Sequence, residues 1–404
     1  MRILHISAQL PTRTGSGVYY SSVMEEIDQL GGYVQGAIYG TQKPFIFKEP
    51  KIQYPIEFQT DEIDFPIVGM SDIMPYENTC YKDMTEDMIR CWKSAFRKRI
   101  QQAIKEFKPD CIFSHHLWIL TSLVLEEARG IPVYGFGHGT DIRQAKQNPK
   151  MFHRHVKDLH RLKKVFALSN LHIPDLMELY GLEKEQIVVT GAGFSKEIFY
   201  EDDVQGEKDE ILVVFAGKIA PSKGVYELVK AFDPISKNQR DVFLDIIGSG
   251  NFKAKKLLYD LQSKVNHVII YNAEDQKSLG DFFRRADILV LPSFYEGLGL
   301  VALEALASGC RVVATQIDGL MELLGPNIEE SGAIEYIPLP RIYDTDKPVK
   351  EDLPEFRRKL TKKLKLQIER VRNREQIPDN IKKQIDSHSW TNLTKRILKE
   401  VKEG

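Results

Sequence analysis

At 404 residues the chain exceeds the reach of one typical hydrophobic core, so two domains of comparable size are expected. With 56 basic and 57 acidic residues the formal net charge is -1, which argues against nucleic acid as a main partner and confines any phosphate site to a local cluster. Four cysteines, Cys80, Cys91, Cys111 and Cys310, lack CxxC spacing, so neither a zinc site nor a disulfide framework is indicated and a reducing cytoplasm fits.

In chain order, the first strand-like run is RILHISA at 2–8, followed by a short polar loop and GSGVYY at 15–20. Glycines between a strand and a helix let the backbone approach a ligand, and the helix start offers N–H groups to phosphate, although a plain glycine turn serves equally well. Gly15, Ser16 and Gly17 do not complete the dinucleotide fingerprint GxGxxG, since Tyr20 stands where its last glycine would be. Residues 41–80 are rich in proline and aromatics with weak periodicity, the kind of long irregular segment that often carries function.

Residues 81–108 place Met84, Met88, Ile89, Trp92, Phe96, Ile100, Ala103, Ile104 and Phe107 mostly three or four apart, one apolar helical stripe. The opposite face carries Arg90, Lys93, Arg97, Lys98, Arg99 and Lys105, either a solvated face or a surface for an anionic partner or membrane. Short strand runs CIFSHH (111–116), PVYGF (132–136) and KVFAL (164–168) follow, separated by helix-length segments. That alternation predicts parallel strands with crossover helices. GHGTD at 137–141 directly follows one of them, so His138 and Asp141 stand at a strand end, either functional or as a structural histidine and a helix cap.

After the charged stretch EDDVQGEKDE at 201–210 the rhythm restarts with ILVVFAG, VFLDIIG, VIIY, ILVLPS and RVVA. Continuous apolar strands of this kind are buried on both faces. Two doubly wound α/β domains are therefore predicted, joined near residue 200. GKIAPSKG at 217–224 sets Lys218 and Lys223 around a strand-to-helix turn, where ligands gather in open parallel sheets; two ammonium groups there either neutralise a diphosphate or are ordinary exposed lysines. In EGLGLVALEALASG at 296–309, Glu304 is surrounded almost continuously by apolar residues on a helix, a costly place for a carboxylate unless it accepts hydrogen bonds.

Together these motifs resemble the retaining glycosyltransferases of family 4, whose fold is GT-B: two Rossmann-like doubly wound domains facing a cleft. The likeness spans nearly the whole chain and is strongest over 211–324, and its most specific element is the E-x7-E signature from Glu296 to Glu304. It implies an N-terminal acceptor-side domain over 1–200, a nucleotide-sugar-binding domain over 201–385, and a terminal helix from 386 to 404 that packs back on the first. By the same likeness Glu304 grips ribose hydroxyls, Glu296 faces the donor sugar, and Gly297, Leu298, Gly299 and Leu300 offer backbone N–H groups. Lys218 and Lys223 match the family's Arg/Lys phosphate pair, with lysine replacing arginine at the first position and losing the bidentate fork. His138 matches the family's histidine near the sugar, and Gly15, Ser16 and Gly17 its loop beside the phosphates.

The implied activity is retaining transfer of a hexosyl group from a nucleotide-sugar, UDP-linked as first choice, to an acceptor hydroxyl, with no metal and no other cofactor. The acceptor, whether glycan, lipid, small metabolite or protein, is left open, with residues 41–80 and the region of His115, His116 and Trp118 as its candidate site. A soluble cytoplasmic protein is expected, with contact at the inner face of a membrane also left open. Competing readings are a phosphorylase or nucleotide-sugar epimerase on the same fold, a catalytically silent GT-B binding protein, and a nicotinamide-dependent dehydrogenase, which the incomplete fingerprint disfavours.

Overall fold

The computed structural model describes residues 1–9, 14–42, 46, 50–71, 74–202, 209–272, 275–344 and 346–403. The chain divides into two compact units, Met1–Ala192 with Trp390–Gly404, and Gly193–Ser389. The boundary falls before residue 200 because Phe194 and Phe199, 3% and 1% exposed, anchor the core of the second unit. Most of the charged stretch expected to mark the join, residues 203–208, lies outside the described residues.

In the first unit the strands are β1 (Arg2–Ser7), β2 (Val34–Thr41), β3 (Ile52–Glu57), the short pair β4 (Val68–Gly69) and β5 (Thr79–Cys80), β6 (Cys111–His115), β7 (Val133–Phe136), β8 (Lys164–Ala167) and β9 (Ile187–Val189). Seven of them form one sheet in the order β3-β2-β1-β6-β7-β8-β9, parallel throughout. Its helices are α1 (Gly15–Leu30), α2 (Glu86–Phe107), α3 (Ile119–Glu127), α4 (Gly139–Gln147), α5 (Pro149–His155) and α6 (Ile173–Tyr180). In β1, Ile3, Leu4 and Ile6 are fully buried, as a strand covered on both faces requires.

The helix expected over 81–108 starts later, at Glu86, because the Thr85 side chain accepts from Met88 N at 3.2 Å and caps it, while Tyr81–Asp83 form a separate 3-10 turn. Its apolar stripe holds, with Trp92 and Phe96 buried and their ring centroids 4.3 Å apart. Its basic face is largely spent within the unit: Arg97 pairs with Glu126 at 3.0 Å and Glu127 at 2.5 Å, Lys98 with Glu62 at 3.3 Å, and Arg90 with Asp87. Carboxylates set beside these cations offset the positive field that an anionic partner would meet. No helix among the described residues is long and apolar enough to cross a membrane.

The irregular segment over 41–80 also packs inward. Phe58, Ile63, Phe65, Ile67, Val68 and Met70 are buried in the first core, and residues 43–45, 47–49 and 72–73 lie outside the described ones. Trp118, 1% exposed, belongs to that core against Tyr81 and Phe152. Its ring serves packing rather than an open sugar-stacking face.

The second unit carries β10 (Ile211–Ala216), β11 (Val242–Ile247), β12 (Val268–Tyr271), β13 (Ile288–Leu291), β14 (Arg311–Thr315) and β15 (Ile334–Ile337), with a small hairpin of β16 (Ile342–Tyr343) and β17 (Lys347–Pro348). The six-stranded sheet runs β12-β11-β10-β13-β14-β15, parallel at every pairing. Helices α7 (Val225–Ser236), α8 (Phe252–Gln262), α9 (Gln276–Arg285), α10 (Leu300–Ala307), α11 (Asp318–Leu324), α12 (Pro326–Glu330), α13 (Leu353–Arg372) and α14 (Asp379–Asp386) complete it. The terminal helix α15 (Trp390–Glu403) belongs to the first unit, where the Trp390 ring meets the edge of Tyr19 at 5.0 Å.

In both sheets the strand order reverses beside the first strand, between β1 and β6 and between β10 and β13. Such a topological switch point leaves a crevice at the carboxyl ends of the strands. On the other side of β10, away from the switch point, the ends of β10 and β11 are pressed together: Gly217 N donates to Ile247 O at 3.0 Å and Ile219 N to Ser249 O at 2.8 Å. A Cβ on Gly248 would lie 1.9 Å from the Gly217 carbonyl oxygen, a backbone atom that cannot swing away. Gly248→Ala is therefore expected to cost about 1–3 kcal/mol of overpacking. The measurement is thermal unfolding, where an unchanged melting temperature would mean that the Gly217–Gly248 approach is not needed.

Candidate functional site

The loop after β10 begins at Gly217 and carries exposed Lys218. A 3-10 turn over Pro221–Lys223 then leads to Gly224, at φ 65°. A Cβ at Gly224 would lie 2.0 Å from the Pro292 carbonyl oxygen, so only glycine lets this loop lie against the one after β13. Phe294 N donates to Ser222 O at 2.8 Å and closes the contact.

That approach brings Lys223 Nζ to 2.6 Å from Glu296 Oε1 and 3.3 Å from the Tyr295 carbonyl oxygen. The same Glu296 oxygen accepts from Ser293 Oγ at 3.0 Å. Ser293 is itself fixed, because its carbonyl accepts from the buried Thr315 hydroxyl at 2.6 Å. Lys223 and Glu296, two of the four candidates for catalysis with Lys218 and His138, are thus in direct contact, while Lys218 stays exposed with no ion pair among the described residues. Ser293 was not singled out by its sequence; the only signal was a polar residue closing the apolar run ILVLPS.

Gly297 and Leu298 then lead to Gly299, the N-cap of α10 at φ 62°, and Leu300 opens the helix. The helix therefore presents its partially positive end at this loop. Glu304 is the fifth residue of α10, next to buried Leu303, Ala305 and Ala302. Burial pushes its carboxyl up to about 7. The residue as a whole is only partly buried, and desolvation of the carboxyl by the surrounding side chains is the cause of the shift. Among the described residues nothing hydrogen-bonds its carboxylate, an arrangement characteristic of functional carboxylates. In the loop after β12, Asn272 accepts from Lys255 Nζ at 3.2 Å, and residues 273–274 lie outside the described ones.

The first unit gathers its own residues at the ends of β1, β6 and β7. Thr14 caps α1, its hydroxyl accepting from Gly17 N at 3.0 Å, so Gly15, Ser16 and Gly17 form the first turn. Ser16 Oγ donates to Gln9 Oε1 at 3.4 Å. One turn on, the Tyr19 ring meets His138 edge-on at 5.6 Å, which ties the glycine turn to the histidine.

His138, 6% exposed, is the N-cap of α4, and its Nε2 is buried without a hydrogen-bond partner. Burial, with the nearby His116 ring, pushes its pKa down to about 3, so the ring is neutral at physiological pH. Asp141 takes the capping role, and also accepts from His116 Nδ1 at 2.6 Å. Burial would raise that carboxyl, but the His116 and His138 rings and the His138 amide hold it below the usual carboxylate range. The Asp141–His116 pairing spans 25 positions, and nothing in the local sequence signals it.

Residues 198–336 match the family described as glycosyl transferases group 1, and residues 86–196 match Glycosyltransferase Family 4. A D-inositol 3-phosphate glycosyltransferase of Paenarthrobacter aurescens is 28% identical over 247 residues, covering 55% of this chain and 60% of that protein. The chain spans about a third to three fifths of the length of the first curated relatives it matches, at 34%, 60% and 55%. Sucrose-phosphate synthase of Thermosynechococcus elongatus superposes with a TM-score of 0.68 at 15% identity, covering 100% of this chain and 98% of that one. The Anabaena protein HepE, solved in complex with UDP and glucose, gives 0.63 at 16% identity, with 100% and 99% covered. With two parallel Rossmann-like units and the two family matches adjoining along it, the chain belongs to the GT-B glycosyltransferases of the family 4 type.

Proposed function

We propose that this protein is a retaining glycosyltransferase that moves a hexosyl group from a nucleotide-sugar, with UDP as the first-choice nucleotide, to an acceptor hydroxyl. The observation that carries the reading is the cluster at the second switch point: Lys223, Glu296 and Ser293 in contact beside the start of α10, with Glu304 one turn inside that helix and unpartnered among the described residues. The UDP bound by HepE supports the choice of nucleotide at the level of a shared fold.

In this reading Glu304 accepts from the ribose hydroxyls, and the diphosphate lies toward the α10 N-terminus, Lys218 and Lys223. As the bond from the anomeric carbon to the phosphate oxygen breaks, negative charge grows on the diphosphate, where these cations and backbone dipoles stabilise it. The acceptor oxygen bonds to the same face of the anomeric carbon and its proton passes to the departing phosphate oxygen, so configuration is kept and no side-chain nucleophile is used. Glu296, freed from Lys223 as that lysine turns to phosphate, orients the sugar hydroxyls. Neutral His138 serves as a hydrogen-bonding group rather than a cation. The lysines supply the neutralising charge, and we assign the reaction no divalent metal.

Three measurements test this. Alanine at Glu296 or Lys223 should lower turnover of a UDP-sugar by roughly 10²- to 10³-fold, the size of losing one stabilising group in a water-poor site. UDP at about 100 times its dissociation constant should stabilise the protein by about 2.7 kcal/mol, and Glu304→Ala should lose most of that shift. An unchanged shift in that variant would remove the ribose assignment. Chelation should leave activity intact, whereas a loss restored by magnesium or manganese would contradict the metal-free route.

The pH dependence has a defined sign. A carboxyl raised to about 7 is protonated below that value and then accepts hydroxyl protons poorly, so UDP affinity should fall as pH falls through 7. The ionised fraction changes roughly tenfold between pH 8 and pH 6, and the dissociation constant should follow. Glu304→Gln separates this from titration of the nucleotide itself: the part of the pH dependence due to Glu304 disappears in the variant.

A further inference from the structure

Asp141 is fully buried and shares its carboxylate among three donors drawn from two loops. Oδ1 accepts from His116 Nδ1 at 2.6 Å, and Oδ2 accepts from Leu117 N at 3.0 Å and from His138 N at 2.8 Å. Because an ionised carboxylate only accepts, His116 carries its hydrogen on Nδ1. The His138 carbonyl in turn accepts from Asp141 N at 2.9 Å, so both backbone polar groups of His138 are bonded to this one residue.

The second loop is held as firmly. His116 adopts φ 69°, a left-handed conformation uncommon for a non-glycine residue. Its N–H donates to Phe136 O at 3.0 Å, and its carbonyl accepts from Thr121 Oγ1 at 2.5 Å and Trp118 N at 2.9 Å. In this position its ring centroid lies 4.6 Å from that of His138. Asp141 therefore bears on His138 twice, directly through the backbone and indirectly through the His116 ring.

We infer that Asp141 is the positioning residue for His138, a role that rests on the proposed function of that histidine; Asp141 itself touches no reacting atom. The chemistry requires a carboxylate. Asparagine can keep both amides on its one oxygen, but its NH2 then faces His116 Nδ1, which has to give up its hydrogen and take the other tautomer, so the present His116 arrangement is not held. Loss of the shared acceptor releases the His116 ring and lets the start of α4 shift, and small displacements of an orienting group reduce rate strongly.

The test is a double-variant cycle on the full chain, with Asp141→Asn, His138→Ala and their combination, read by UDP-sugar turnover and by histidine ring NMR. Asp141→Asn should lower kcat by about 10- to 100-fold with KM for the donor changed less than about twofold. The combined variant should be no slower than His138→Ala alone. In the NMR spectrum Asp141→Asn should remove the hydrogen-bonded His116 Nδ1–H signal and shift the His138 ring resonances. Losses that multiply in the combined variant, or His138 resonances that stay in place, would overturn the inference. His116→Gln, which leaves both amide bonds to Asp141 intact, carries the same cycle if Asp141→Asn does not fold. The NMR arm needs no activity, so an inactive protein whose His138 signals still move retains the positioning role and loses only the transferase reading.

Discussion

The candidate site in the second unit depends on how closely two loops approach. Gly224 sits where any side chain would strike the Pro292 carbonyl, and that approach brings a lysine from the loop after β10 onto a glutamate from the loop after β13. At a switch point the loops leaving two neighbouring parallel strands turn to opposite faces of the sheet, which ordinarily leaves a crevice between them. The glycine narrows that crevice at its base, and the buried Thr315–Ser293 bond fixes the floor on which Glu296 stands. A cation, a carboxylate and a helix N-terminus then converge without any of them lying on a long mobile segment.

Desolvation sets the chemistry of both units in opposite directions. It raises the Glu304 carboxyl to about 7, poised to ionise when hydroxyl donors arrive, and it lowers His138 to about 3, keeping that ring neutral. Neither group is balanced by a direct ion pair among the described residues, whereas Asp141 and Lys223, which are paired, serve to hold their neighbours. Asp141 does the arranging, while Lys223 and Glu296 hold each other here and, in the proposed reading, part when the lysine turns to phosphate.

Much of this was legible in the residues. Apolar runs such as ILVVFAG and ILVLPS declare buried parallel strands, and the carboxylates at 296 and 304 flank a glycine turn whose helix is too apolar for an ordinary glutamate. Charge marks the join near 200, whereas Phe194 and Phe199 just before it, which belong to the second core, carry no such mark in the sequence. The basic face of α2 was ambiguous from its own helix alone, since its partners Glu62, Glu126 and Glu127 lie on other elements. The aromatics over 41–80 fit a binding segment and a core equally well from sequence, because irregular packing into a core has no period to betray it. The Asp141–His116 bond and the Ser293–Glu296 bond join loops only after the sheet has formed.

The central claim is a transfer that keeps configuration at a site carrying no covalent nucleophile. The most direct measurement is 1H NMR of the first-formed product from an α-linked UDP-sugar, with water or a simple alcohol as acceptor, recorded before mutarotation. The account predicts an α-anomeric proton in the first-formed product. A β-anomer, or no sugar release above the uncatalysed background with UDP-, GDP- or ADP-sugars, would contradict it.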